Sequence, residues 1–296
     1  MFAFAKRTLI FLSVNFLILL TLSITLRLLG IGHYFTARGI DYNALLAFCL
    51  LWGMGGAFIS LALSRILAKM MMGVRVIDPN TADHGERELV ATVHRLASAA
   101  NLPAMPEVGW YDSHEVNAFA TGPTKSRALV AVSAGLLEKM SREEVEGVLG
   151  HEIAHIANGD MVTMTLVQGV INALVMFLAR VIAFFLANRG RDSDSSSAPS
   201  YLVVFLLEMV LSFFGMIAVA AFSRYREFRA DAGSAELAGR QKMIAALEAL
   251  QRTSRYVDLT GRESVATLKI SGKRAFMLFA THPPLEDRIE RLKSAV

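Results

Sequence analysis

The sequence has little charge, a single cysteine and no strong excess of either sign. Charged residues make up 19% of the 296 positions, below the roughly 25% of an ordinary soluble chain. A net charge of +4, spread along the chain, is too small to point to nucleic acid. Cys49 is alone and sits inside an apolar run. No intramolecular disulfide can form, so the soluble parts need no oxidising compartment. No small-x-small cleavage site follows the first apolar run, in GIGHYFTARG. That run is also too long for a signal peptide, and it reads as an uncleaved anchor.

Apolar residues are abundant instead. They fill 54% of the chain, where soluble domains hold about 45–50%, and this points to a membrane protein. Four runs reach the length of about 20 residues that a helix needs to cross a hydrocarbon core. They lie at about Thr8–Leu29, Asn43–Leu67, Val162–Ala187 and Tyr201–Phe222. Lys6 and Arg7 precede the first, Arg65, Lys69 and Arg75 follow the second, and Arg224, Arg226 and Arg229 follow the fourth. The positive-inside rule then places both termini and region 68–161 in the cytoplasm. The connection NRGRDSDSSSAPS carries Arg189 and Arg191 on the opposite side. It is either a short flexible loop or the turn of a hairpin that only dips into the bilayer. Arg180 and Glu208 stand fourteen residues on either side of Asp194, hence at similar depth in an antiparallel hairpin. Either they pair, or each separately meets water or a headgroup. In span two, Gly53 and Ala57, and Gly56 and Ser60, put small residues four apart. They allow close helix packing within the chain or between chains.

The organisation expected is therefore an anchor over 1–67, a soluble part over 68–161, a membrane hairpin over 162–222 and a second soluble part over 223–296. The two soluble parts together approach the length of one domain. DHGERELVATVHRLASAANLP reads as an amphipathic helix, with Leu89, Val93 and Leu96 on one face and Pro103 closing it. MPEVGWYDS and SRALVAVSAGLL read as strands. His94 reads as a packed or surface residue, and His33, His84 and His114 have no partner at ligand spacing. In MSREEVEGVLGHEIAHIANGD, Ser141 and Glu144 form a capping box and Gly159 is a stop, so HEIAH lies on a helix.

Helical periodicity carries the chemistry. His151 and His155 are about one turn apart and project the same way. Two neutral imidazoles so placed can bind one zinc ion, which acidifies a water molecule. Glu152 adjoins the first histidine and can take that proton as general base without being a ligand. A catalytic zinc needs a third protein ligand. Past the fourth span, Glu227 and Asp231 are four apart on a probable helix. They supply either that ligand face or a solvated face among arginines.

HEIAH, the intervening hydrophobic hairpin, REFRADAGSAELAGR and THPPLEDRI together resemble the HtpX membrane zinc metalloproteases, bacterial relatives of the CAAX prenyl proteases. The resemblance covers nearly the whole chain. It implies a gluzincin-like α+β protease domain with a small β-sheet on a mainly α membrane scaffold of four transmembrane helices. It implies one zinc ion per chain on His151, His155 and Glu227, with Asp231 orienting a ligand histidine. Asn117, Ala118, Phe119 and Ala120 would lie beside the cleft, as an edge strand pairing with substrate backbone or as a plain connection. His282 would donate to the tetrahedral oxyanion, or with its two prolines merely end one helix and start another.

The function expected is hydrolysis of peptide bonds in membrane proteins at the cytoplasmic face of the bacterial inner membrane. The resemblance adds quality control of damaged proteins, a stress role and self-cleavage. Two rivals are a processing protease of narrow specificity and a non-enzymatic membrane protein with a structural metal. Glu152 weighs against the second, because a structural site has no need of a base.

Overall fold

A computed structural model of the chain describes residues 2–28, 34–36, 39–189, 199–260 and 278–294. His33, Arg38, Arg191 and most of the connection between the third and fourth apolar runs lie outside them. The chain is mostly helical and divides into two compact units. One comprises Met1–Leu61 with Thr163–Val219, the other Ala62–Val162 with Ala220–Val296.

The first unit contains α1 (Phe2–Leu28), a two-residue antiparallel hairpin of β1 (Phe35–Thr36) and β2 (Gly39–Ile40), and most of α2 (Tyr42–Met72). It also holds most of α6 (Asp160–Ala187) and the first half of α7 (Tyr201–Ser234). Among the described residues, three helices are long and apolar enough to cross a membrane: α2, α6 and the run that begins at Tyr201. This is a membrane protein. Of α1, the stretch Phe16–Leu28 is described as apolar. Leu202, Phe205, Phe213 and Phe214 are exposed, as suits a surface solvated by lipid tails.

The small residues of α2 are used within the chain. A Cβ on Gly53 would come 2.6 Å from the backbone nitrogen of Ala173, and one on Gly55 would come 2.7 Å from Leu22. The close approach of α2 to α6 centres on Leu45, Cys49 and Ala173. Arg180 and Glu208 pair, at 2.5 Å. The Arg180 guanidinium also donates to the Tyr34 hydroxyl and the Met176 carbonyl, and lies 5.2 Å over the Phe48 ring. Of the two alternatives for these charges, pairing is the one observed.

The second unit is α+β. Its sheet runs β3 (Arg75–Val76), β4 (Glu107–Tyr111), β6 (Leu129–Ser133), β5 (Ala118–Thr121) in spatial order. β4 and β6 are parallel and the other pairs antiparallel. The helices are α3 (His84–Ala99), α4 (Ala134–Lys139), α5 (Arg142–Asn158), α8 (Arg240–Thr260) and α9 (Leu285–Ser294). A π-helical stretch, Ala235–Gly239, joins α7 to α8. Leu89, Val93 and Leu96 of α3 pack with Val130 and Val132 of β6 and Leu149, Ile153 and Ile156 of α5. His94 is a packed residue, its Nε2 3.2 Å from the Pro106 carbonyl. The segment after Asn117 is a strand, Ala118–Thr121, at the sheet's edge. The Asn117 backbone is held at both ends by Ser133, whose N–H donates to the Asn117 carbonyl at 2.9 Å and whose Oγ accepts from its N–H at 3.1 Å.

Candidate metal centre

Helix α5 carries the first two candidate ligands, and its ends are fixed by local chemistry. At its start the Ser141 N–H donates to Glu144 Oε2 at 2.8 Å and Ser141 Oγ accepts from the Glu144 N–H at 3.3 Å. At its end Gly159 adopts φ 71°, a left-handed conformation that costs glycine nothing. His151 and His155 are both buried between these stops.

Helix α7 supplies Glu227 and Asp231, also buried. The two helices approach so closely because glycines line the contact. A Cβ on Gly150 would lie 2.7 Å from Ser234 Oγ, and one on Gly233 would lie 2.8 Å from the Ala154 side chain. The buried Ser234 hydroxyl donates to the Gly147 carbonyl at 2.8 Å, one turn before His151.

Each imidazole is oriented through its Nδ1. Asp231 Oδ1 lies 2.9 Å from His151 Nδ1, and Asp160 Oδ2 lies 2.7 Å from His155 Nδ1. A carboxylate at Nδ1 keeps the proton there and leaves the lone pair on Nε2. Both Nε2 atoms point into one space, 3.0 Å apart. Glu227 faces the same space, Oε2 3.5 Å from His151 Nε2 and Oε1 3.3 Å from His155 Nε2. Glu227 Oε1 is buried without a hydrogen-bond partner among the described residues.

This arrangement fits a metal ion. The two Nε2 atoms, 3.0 Å apart, are placed to share either a proton or a metal ion. A tetrahedral ion with bonds of about 2.0–2.1 Å separates its ligands by about 3.3 Å, close to the three distances found. The ligand atoms of His151, His155 and Glu227 all lie within 4.8 Å of one another. The surrounding field favours a cation too. Burial pushes the His151 pKa down, but its contacts with Asp231 and Glu227 prevail and hold it up at about 9. Burial would raise the Glu227 carboxyl, yet His151, His155 and His282 hold it well below the usual carboxylate range.

A second layer of charge surrounds these residues. Arg288 of α9, 6% exposed, grips Asp231 with two hydrogen bonds, Nε to Oδ2 at 2.7 Å and Nη2 to Oδ1 at 2.5 Å. Burial opposes the charge on Asp231, but Arg288 and His151 hold its pKa down. Arg229 pairs with Asp160, and Arg226 Nη2 lies 3.0 Å from Glu227 Oε1. His282 Nδ1 is 2.9 Å from Glu227 Oε2, so His282 touches the carboxylate directly. His282 also sits at the bend before α9, as the helix-boundary reading expects.

Glu152, His151, Glu227, His282, Asn117 and Ala118 line one cleft of about 180 Å³. Phe119 and Ala120 continue the edge strand, with the Phe119 ring turned to Tyr111.

Residues 83–296 match Peptidase family M48. The chain belongs to that family. It is 50% identical over 297 residues to the "Protease HtpX homolog" of Bacillus subtilis (strain 168), covering 98% of this chain and 99% of that one. The "Protease HtpX homolog" of Nitrosomonas europaea is 49% identical over 296 residues, again covering 98% and 99%. The HtpX resemblance read from the motifs is thereby confirmed. Among solved structures, the crystal structure of S. mikatae Ste24p aligns with a TM-score of 0.66 at 16% identity. The alignment covers 98% of this chain, which spans 64% of the length of Ste24p, and the likeness is one of fold.

Asp160 and Arg288 were given no role from sequence. Asp160 had a local signal, since it stands five residues past His155 inside the same run, HEIAHIANGD. Arg288 lies inside the THPPLEDRI motif, but nothing in the sequence tied it to Asp231, 57 residues away.

Proposed function

We propose that the protein is a membrane-bound zinc endopeptidase that cuts misfolded or damaged membrane proteins at the cytoplasmic face of the bacterial inner membrane. The observation that carries the reading is the convergence of His151 Nε2, His155 Nε2 and Glu227 on one space beside Glu152. The chemistry supplied by a zinc ion held there is Lewis acidity, towards a scissile carbonyl and towards water. Glu152 takes the proton of the attacking water and passes it to the leaving amine. The edge of β5, entered at Asn117, holds the substrate backbone in extended form. His282, at the cleft mouth, donates to the oxyanion. Asp231 and Asp160 keep the two imidazoles in the tautomer that offers Nε2.

The choice of membrane proteins as substrates rests on chain continuity. Asp160, which orients His155, is the first residue of the apolar helix α6, and Glu227 lies on α7, the helix that opens with the fourth apolar run. We place α1 as a fourth span, both termini and the protease unit in the cytoplasm, and a role in quality control and stress, with self-cleavage. The basic residues flanking the apolar runs support the orientation. Zinc content of the purified full chain in detergent tests the reading. One zinc per chain is expected in the parent and a large loss in His155→Ala. Equal content in the two would contradict it.

A further inference from the structure

Arg224, one of the basic residues that follow the fourth apolar run, donates to the backbone beside His282. Leu278 and Phe279 end a helical turn, and residues 280–284 run on to the start of α9. The carbonyls that close a helical turn have no partner within it. Arg224, on α7, supplies one. Its Nη1 donates to the Leu278 carbonyl at 3.2 Å and to the Ala280 carbonyl at 2.8 Å. Arg224 stands three residues before Glu227, about one turn away on the same side of the helix. Glu227 Oε2 meets His282 Nδ1 at 2.9 Å. One side of α7 therefore holds both the backbone at 278–280 and the imidazole at 282.

We infer that Arg224 is a positioning residue for the reaction and acts through His282. The inference rests on the peptidase reading above, in which His282 donates to the oxyanion. The His282 side chain is 65% exposed, so packing does not fix its place and its backbone must. On the C-terminal side, Pro283 and Pro284 lock their own φ, and Pro283 restricts His282 as well. Beyond them α9 is docked by Arg288 on Asp231, and by Ile289 and Leu292 against Met243 and Leu247. On the N-terminal side Leu278 is exposed, so its packing gives the chain little hold. The two bonds from Arg224 provide the hold there. An oxyanion donor acts over about 2.7–3.1 Å, and a misplacement of about 1 Å can cost on the order of 100-fold in rate. Without Arg224, His282 keeps its contact with Glu227 but loses one end of the backbone frame that aims it. Both bonds leave from one nitrogen, so the compact ammonium of a lysine, with its own three donors, can stand in for the guanidinium.

The test uses the zinc-loaded full chain in detergent and an internally quenched peptide that the parent cuts. The parent is compared with Arg224→Met, Arg224→Lys, His282→Ala and the double change of Arg224→Met with His282→Ala. All are expected to keep the parent's zinc content. His282→Ala should lower kcat by about 100-fold. Arg224→Met should lower kcat by about 10-fold and change KM by less than about 2-fold, and Arg224→Lys should recover most of that loss. In the double variant the cost of Arg224→Met should vanish, leaving kcat at the His282→Ala value. Several results overturn the inference and leave the peptidase reading standing: a loss that multiplies with that of His282→Ala, a loss confined to KM, full activity in Arg224→Met, Arg224→Lys no better than Arg224→Met, or zinc lost from Arg224→Met. If His282→Ala cuts at the parent's rate, the oxyanion role fails and this inference with it. If zinc is bound and the parent cuts no peptide or protein substrate, the peptidase reading itself fails and the inference falls too.

Discussion

Each unit of the protein buries a cluster of charge, and the two clusters are finished differently. In the membrane unit, Arg180 is taken up by Glu208, the Tyr34 hydroxyl, the Met176 carbonyl and the Phe48 ring. No buried atom of Arg180 or Glu208 is left without a hydrogen bond. In the other unit, carboxylates and arginines satisfy the outer atoms of the cluster. Its inner atoms, two imidazole nitrogens and Glu227 Oε1, are left facing one another. A buried charge at membrane depth is costly unless paired, so the first cluster has a structural explanation complete in itself. The second is more deeply buried, and at its centre the two imidazole nitrogens and Glu227 are placed to hold a metal ion. Closed against open is the distinction between a brace and a binding site.

Breaking the open cluster from outside should have the largest effect. Arg288→Ala leaves the Asp231 carboxylate buried and without its bidentate partner. A loss of about 3–5 kcal/mol in unfolding free energy is expected, read from denaturant melts in detergent. The closed cluster should cost less. Arg180→Leu strands Glu208 at membrane depth and should lower stability by about 2–3 kcal/mol. Exchanging the two residues should recover part of the loss, because the charge pair is restored while the contacts to Tyr34 and Phe48 are not. If the exchange is as unstable as the sum of the single changes, the brace is not a pair. Asp160→Asn should leave the fold intact and weaken zinc binding by about 10–100-fold in a chelator competition. The corresponding change in the membrane cluster, Tyr34→Phe, should leave zinc affinity where it was. The smallest effect is expected at the seam between the ligand helices. Ser234→Ala removes one hydrogen bond to the Gly147 carbonyl and should cost about 1 kcal/mol.

The same contrast explains what could be read from sequence. HEIAH was legible because an i, i+4 pair on a capped helix fixes its own geometry within one turn. The Arg180–Glu208 pair was legible as one of two alternatives, because a hairpin imposes symmetry about its turn. Glu227 and Asp231 were legible as a pair at helical spacing, but only the HtpX resemblance tied them to the histidines. Arg288 and Arg229 lie inside quoted motifs, yet their partners were not legible, because charged side chains look alike until packing chooses what they meet. Two-residue strands such as β3 and the β1–β2 hairpin have no alternation to detect. The π-helical stretch after Ser234 was equally hidden, since Ala-Glu-Leu-Ala-Gly reads as ordinary helix with a terminal glycine.

The most direct measurement compares the parent with Glu152→Gln for zinc content and for cleavage of a membrane-protein substrate in the same preparation. The account predicts one zinc per chain in both proteins and cleavage in the parent alone. Cleavage by Glu152→Gln at the parent's rate would contradict it.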